Sequence, residues 1–140
     1  MKDREMLNAI YKNARMGVVG INAVSKYASP SLSKELNNQK REYQNICRDA
    51  HRIQHQKANP VKGLSPMAVR GTHMLSRMKL GVDSSDSKIA EMMINGSSMG
   101  ITKIIRSKRS YEGFDRKISS LSDRLLETEQ NNIENLKAFL

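Results

Sequence analysis

An unbroken heptad pattern of apolar residues near the N-terminus constrains the fold of this chain more than any other sequence feature. The residues that form it are Leu7, Ile10, Ala14, Gly17, Ile21, Val24 and Ala28. Their spacings alternate between three and four, which places all of them on one face of an α-helix predicted over residues 3–28. This face has to pack against other elements. The helix should end near Ser29, because the residue before a proline avoids helical backbone angles.

The same periodicity continues along the chain. It predicts further helices over residues 31–57, 66–80, 84–109 and 114–139. Aromatic residues make up only 4% of the chain, whereas there are nine methionines, and this composition favours helix over sheet. Four long helices and one short one, with no strand, predict an all-α fold. We expect residues 1–140 to form a single up-and-down four-helix bundle of ferritin-like layout, with one extra short helix.

Several classes of protein are excluded by composition. The single cysteine, Cys47, cannot form an intramolecular disulfide or a cysteine-rich metal site. The chain contains no apolar run long enough to predict a membrane span or a secretory signal, so we expect a cytoplasmic protein with no membrane partner. No nucleophile motif and no glycine-rich phosphate loop is present, so the sequence predicts neither a catalytic residue nor a cofactor.

The chain is strongly basic, with 24 Lys and Arg residues, 14 Asp and Glu residues and a formal net charge of +10. The densest basic cluster lies at the end of the 84–109 helix. Together with two arginines of the 31–57 helix it predicts a polyanion-binding surface. The candidate residues are Lys103, Arg106, Lys108, Arg109, Arg48 and Arg52. An alternative is that the cations near the helix end only stabilise the helix dipole.

Metal ligands are sparse in this sequence. A dimetal site in a four-helix bundle uses Glu-x-x-His pairs, yet no glutamate here is followed by histidine three residues later. His51 and His55 are spaced four apart on one helix and are weak candidates for a single metal ion. A third ligand, His73 or Asp49, would have to be brought close by folding, and the alternative is that both histidines lie on a solvated basic face. No metal site is predicted with these residues alone.

Polar residues interrupt the apolar stripes. Glu129 lies between Leu125 and Ile133, and Gln39 lies within the stripe of the 31–57 helix. With Glu91 and Asn132, these residues predict a buried polar layer, in which a carboxylate would need a hydrogen-bonding partner or a ligand. Gly96 and Gly100 each destabilise a helix by roughly 1 kcal/mol relative to alanine. Their shared face therefore predicts a close approach of another helix.

Three stretches carry a family resemblance: residues 7–17 (LNAIYKNARMG), 88–101 (KIAEMMINGSSMGI) and 129–137 (EQNNIENLK). They resemble a family of small helical proteins from Gram-positive anaerobes whose layout is that of ferritin-like four-helix bundles. No activity is assigned to that family, so the resemblance implies a fold and no ligand positions. This chain departs from the family by its high positive charge.

The sequence alone favours a non-enzymatic helical bundle that acts through contact with a protein partner or with a second copy of itself. It would act by burying an apolar surface against the partner, and basic residues around that surface would set the partner's orientation. The alternative is binding of nucleic acid or another polyanion through basic helix faces. A third interpretation is a degenerate ferritin-like metal-binding protein.

Overall fold

A computed structural model describes residues 1–56 and 83–140 of the chain. In this part of the protein there are four α-helices and no strand. The helices are α1 (Asp3–Val24), α2 (Pro30–Gln56), α3 (Asp86–Ser110) and α4 (Arg116–Leu136), and single 3-10 turns follow α1 (Ser25–Tyr27) and α4 (Lys137–Phe139). The predicted all-α, four-helix fold is confirmed. The short helix predicted over 66–80 lies outside the described residues.

Neighbouring helices run antiparallel throughout the bundle. Helix α1 packs against α2 and α3, and α4 packs against the same two helices, so that α2 and α3 are diagonal. The Met1 amino group donates to the Ser110 carbonyl oxygen (2.8 Å), which places the start of α1 beside the end of α3. At the other end, the Ser29 N–H donates to Asp86 (3.0 Å). Helices α2 and α3 therefore run parallel to each other.

Local chemistry sets the helix ends. Pro30 begins α2, where its missing N–H would be unsatisfied in any case. The Asp115 carboxylate caps α4 by accepting the N–H groups of Lys117 (2.9 Å) and Ile118 (3.1 Å). Helix α1 ends at Val24, earlier than predicted, because the last turn tightens to a 3-10 turn in which the Ser25 hydroxyl donates to the Ile21 carbonyl (2.6 Å).

The apolar stripes meet in one core. Its fully buried large side chains come from all four helices: Met6, Leu7, Ile10, Ile21, Leu32, Leu36, Ile46, Ile89, Ile104, Ile118, Leu125 and Leu136. Burial of each such side chain stabilises the fold by about 1.5–3 kcal/mol before conformational entropy is subtracted. Within residues 1–56 and 83–140, no helix has the length and apolar character that crossing a lipid bilayer requires.

The N-terminus is tied to the α3–α4 connection. The Tyr111 hydroxyl donates to Asp3 (2.6 Å), and the Glu112 N–H donates to the Met1 carbonyl (3.0 Å). A Cβ atom on Gly113 would overlap both Asp3 and the Tyr111 ring. Glycine at this position therefore permits the hydrogen bond that holds the start of α1 against the end of α3.

Candidate functional site

A cluster of polar side chains lies in the centre of the bundle and draws on all four helices. Its members are Asn13 of α1, Tyr43 of α2, Ser97 of α3, and Glu129 and Asn132 of α4. We call it the central polar cluster. All of them except Asn13 are buried, and Glu129 is only 2% exposed. The Asn132 side chain donates to the Tyr43 hydroxyl (3.1 Å), which joins α4 to α2.

Two glycines make room for this cluster. A Cβ atom on Gly17 would lie 2.5 Å from the Tyr43 ring, so the ring fills the space that a side chain on α1 would occupy. A Cβ atom on Gly100 would lie 3.1 Å from Asn13 Oδ1 and 3.3 Å from Glu129 Oε2. Asn13 also donates to the Gly100 carbonyl (2.9 Å), which links α1 to α3.

The predicted close approach is thus present at Gly100 and absent at Gly96. Gly96 is exposed, and no atom of the described residues lies within 4 Å of the position of its Cβ. The prediction for Gly96 is wrong because the two glycines, although on one side of α3, differ by about 40° in direction around the helix axis. Only Gly100 points between α1 and α4.

The carboxyl group of Glu129 has an unusual environment. Within the described part of the chain, its Oε2 atom has no hydrogen-bond partner. Burial raises the pKa of Glu129 to about 7, and hydrogen bonding from Tyr43 and Ser97 lowers it by less than burial raises it. Burial and the nearby Glu129 carboxylate likewise raise the pKa of Tyr43 above its usual range. Glu129 therefore changes protonation near neutral pH, inside the core.

The other residues of the predicted polar layer lie elsewhere. Gln39 is buried, but its amide donates to Glu35 on its own helix (3.0 Å). Glu91 is not buried, so the prediction that it belongs to the layer is wrong: its side chain is 55% exposed and lies 3.5 Å from the Lys88 amine. The interior positions of α3 include Ala90, and Glu91 is rotated from it by about 100° toward solvent.

Two members of the cluster, Tyr43 and Ser97, were not predicted as polar partners of Glu129. Tyr43 stands in the α2 stripe, where its ring alone explains its burial. Ser97 is seven residues from both Ala90 and Ile104, which are buried on α3. A serine at that spacing is a usable signal for a polar group in the core, because heptad-spaced residues share a helix face.

The outer face of α2 carries a row of cations. Lys34, Arg41 and Arg48 are exposed and spaced seven residues apart, so they line up along about 21 Å of the helix. We call this row the α2 cationic face. Within residues 1–56 and 83–140, none of the three forms an ion pair with an acidic side chain.

Two of the three acidic residues of α2 turn toward α4 instead. Arg124 of α4 binds Glu42 through Nε (2.8 Å) and Asp49 through Nη1 (2.6 Å). Asp49 also lies 3.4 Å from Arg52, one of the candidate polyanion ligands. Glu42 and Asp49 are consequently paired with arginines on the side facing α4, whereas Glu35 accepts a hydrogen bond from the neutral Gln39 amide. In the described residues, none of the three forms an ion pair with the α2 cationic face.

The predicted basic residues of α3 form a separate surface. Lys103, Arg106 and Arg109 are exposed, whereas Lys108 forms an ion pair with Asp123 of α4. Since α2 and α3 are diagonal in the bundle, their outer faces point in opposite directions. Arg48 thus lies on the opposite side of the bundle from the exposed residues of the α3 cluster, and polyanion binding by these residues stays a prediction.

His51 and Cys47 lie near the α1–α2 contact, where both approach Tyr11. His51 and His55 are exposed, and the His51 ring packs edge-on against Tyr11, with 4.7 Å between ring centroids. Burial raises the pKa of Cys47 to about 11, so its thiol stays protonated at neutral pH. In the described part of the chain, no three His, Cys, Asp or Glu side chains are grouped closely enough to hold a metal ion.

Comparison of the chain with protein-family models, with curated proteins and with solved structures found no match. The similarity to the small helical family therefore stays a prediction from sequence motifs.

Proposed function

We propose that this protein binds the phosphate backbone of nucleic acid through the α2 cationic face. The observation that carries the proposal is the row of Lys34, Arg41 and Arg48, which is exposed and, in the described residues, free of ion pairs. Each phosphate that such a cation neutralises releases condensed counterions, which is the main source of affinity in sequence-independent binding.

The neighbouring helix carries a further exposed cation. Arg15 lies on α1, which packs against α2. No Phe, Tyr or Trp side chain on which a base would stack is exposed on α2, since its single tyrosine, Tyr43, is buried. A row of cations without stacking partners favours contact with the backbone over contact with bases.

The test is binding of a fluorescently labelled 20-base-pair DNA duplex, measured by anisotropy. One variant carries Lys34→Gln, Arg41→Gln and Arg48→Gln. The matched control carries Lys103→Gln, Arg106→Gln and Arg109→Gln, which removes the same charge from the opposite side of the bundle. We expect the first variant to bind at least about tenfold more weakly than the control at 50 mM salt. Equal weakening of both variants would contradict the proposal, since net charge alone would then explain binding.

A second candidate is association with a protein partner or a second copy, and one observation favours it. Phe114, in the connection between α3 and α4, is 97% exposed, and an exposed phenylalanine is a frequent anchor in protein contacts. Sedimentation velocity at micromolar concentrations tests self-association. A dimer that Phe114→Ser converts to monomer would support it, and a monomeric wild-type protein at these concentrations would count against it.

A further inference from the structure

A groove runs between the last turns of α2 and the first turns of α4. It lies on the side of α2 that faces α4, next to the α2 cationic face. It is open to solvent and has a volume of about 390 Å³, which is within the range of small-molecule sites. Apolar side chains, Ile53 and Leu121, form its floor. Polar and cationic side chains line its walls: Arg52, Arg116, Lys117 and Ser120. A charged rim above an apolar floor is suited to a ligand that has both an anionic and an apolar part.

The charges around the groove do not cancel. Asp49 at its edge is already bound by Arg124 (2.6 Å) and lies near Arg52 (3.4 Å). Within the described residues, Lys117 donates only to the neutral amide of Gln56 (3.2 Å) and Arg116 forms no ion pair. No acidic side chain of residues 1–56 and 83–140 therefore forms an ion pair with either of these two adjacent cations of α4.

The backbone at this helix end is not the binding element. Asp115 already accepts the N–H groups of Lys117 and Ile118, so an anion must be bound by side chains. The Arg116 guanidinium can donate two parallel hydrogen bonds to a phosphate, Lys117 adds a point charge, and the Ser120 hydroxyl adds a further donor. Two positive charges match a phosphomonoester dianion.

We infer that the α2–α4 groove binds a small phosphomonoester with an apolar substituent. The phosphate lies between Arg116, Lys117 and Ser120, and the substituent packs on Ile53 and Leu121. This site does not depend on binding of nucleic acid by the α2 cationic face, because it uses different residues and a different ligand size.

The experiment is a titration of the full chain with phenyl phosphate, followed by backbone amide NMR shifts. Inorganic phosphate and phenol are titrated in parallel as the charged part and the apolar part alone. We expect phenyl phosphate to bind about tenfold more tightly than inorganic phosphate, since part of its ring leaves water. The shifts should be largest in residues 52–56 and 116–121. Equal affinity for the two phosphates, or shifts centred elsewhere, would overturn the inference.

Two variants complete the test. Arg116→Gln with Lys117→Gln should weaken phenyl phosphate binding at least about tenfold, with an unchanged melting temperature as evidence that the fold is intact. The Lys34, Arg41 and Arg48 triple variant should bind phenyl phosphate as the wild type does, even where it has lost DNA binding. Undiminished binding by the Arg116 and Lys117 variant would overturn the groove assignment and leave the nucleic-acid proposal standing.

Discussion

Replacement of Glu129 by glutamine tests the central polar cluster most sharply. Burial raises the pKa of this carboxyl from 4.5 to about 7 in the folded protein. At 1.36 kcal/mol per pKa unit, the difference amounts to about 3 kcal/mol of folding free energy. The folded state binds this proton more tightly than the unfolded state does. The stability contributed by this tighter proton binding is therefore fully present below pH 4.5, falls as the pH rises toward 7, and is lost above pH 7.

Glutamine has the shape of the protonated acid and does not ionise. We therefore expect Glu129→Gln to remove this pH-dependent loss. The variant should be more stable than the wild type at pH 8, by up to about 3 kcal/mol, and similar to it near pH 4.5. The measurement is urea unfolding followed by far-ultraviolet circular dichroism at pH 4.5, 6, 7 and 8.

Glu127→Gln is the matched control, because Glu127 is exposed and lies two residues away on the same helix. Its effect on the free energy of unfolding should stay within about 0.5 kcal/mol of zero at every pH. The reasoning would be refuted if the wild type and Glu129→Gln lost stability equally between pH 4.5 and 8. It would also be refuted if Glu129→Gln were the less stable protein at pH 8.

Four further substitutions test the packing of the bundle. Gly17→Ala should destabilise the fold by about 1–3 kcal/mol in urea unfolding, because its Cβ would meet the buried Tyr43 ring at 2.5 Å. Gly96→Ala, on an exposed part of α3, should stabilise it by about 1 kcal/mol, and the opposite order of the two glycine variants would contradict the packing described. Tyr43→Phe should destabilise the fold by about 1–3 kcal/mol, since Asn132 loses its acceptor. Because the Tyr43 hydroxyl lowers the pKa of Glu129, Tyr43→Phe should also move the pH-dependent loss of stability to higher pH, and an unmoved or lowered midpoint would argue against that contact. Gly113→Ala should lower stability by about 1 kcal/mol through loss of the Tyr111–Asp3 hydrogen bond, whereas an unchanged melting temperature would show that the N-terminal contact contributes little.

Much of the fold follows from local sequence. The heptad stripes predict α1, α2, α3 and α4 because a helix in a small domain has to bury one face. The position of Glu129 between Leu125 and Ile133 predicts its burial, and the structure places it in the core. Helix ends were predicted to within a few residues, except at Val24, where a serine hydroxyl bonds back to the preceding turn.

The partners of each helix do not follow from its periodicity. A stripe shows that a face is buried and does not show which helix covers it. The pairing of Tyr43 with Asn132 therefore depends on the contact between α2 and α4, and this contact is set by which helices are neighbours in the bundle. The same arrangement separates Arg48 from the α3 cluster and brings Lys117 to Gln56 in the α2–α4 groove.

The salt dependence of DNA affinity tests the proposed function most directly. Three phosphate contacts by the α2 cationic face predict a slope of about −2.7 for log K against log salt concentration, which is about a 40-fold loss of affinity between 50 and 200 mM. Removal of Lys34, Arg41 and Arg48 should bring this slope close to zero, while the Lys103, Arg106 and Arg109 control keeps it. An unchanged slope in the α2 variant would show that these cations do not contact the backbone, and would contradict the account.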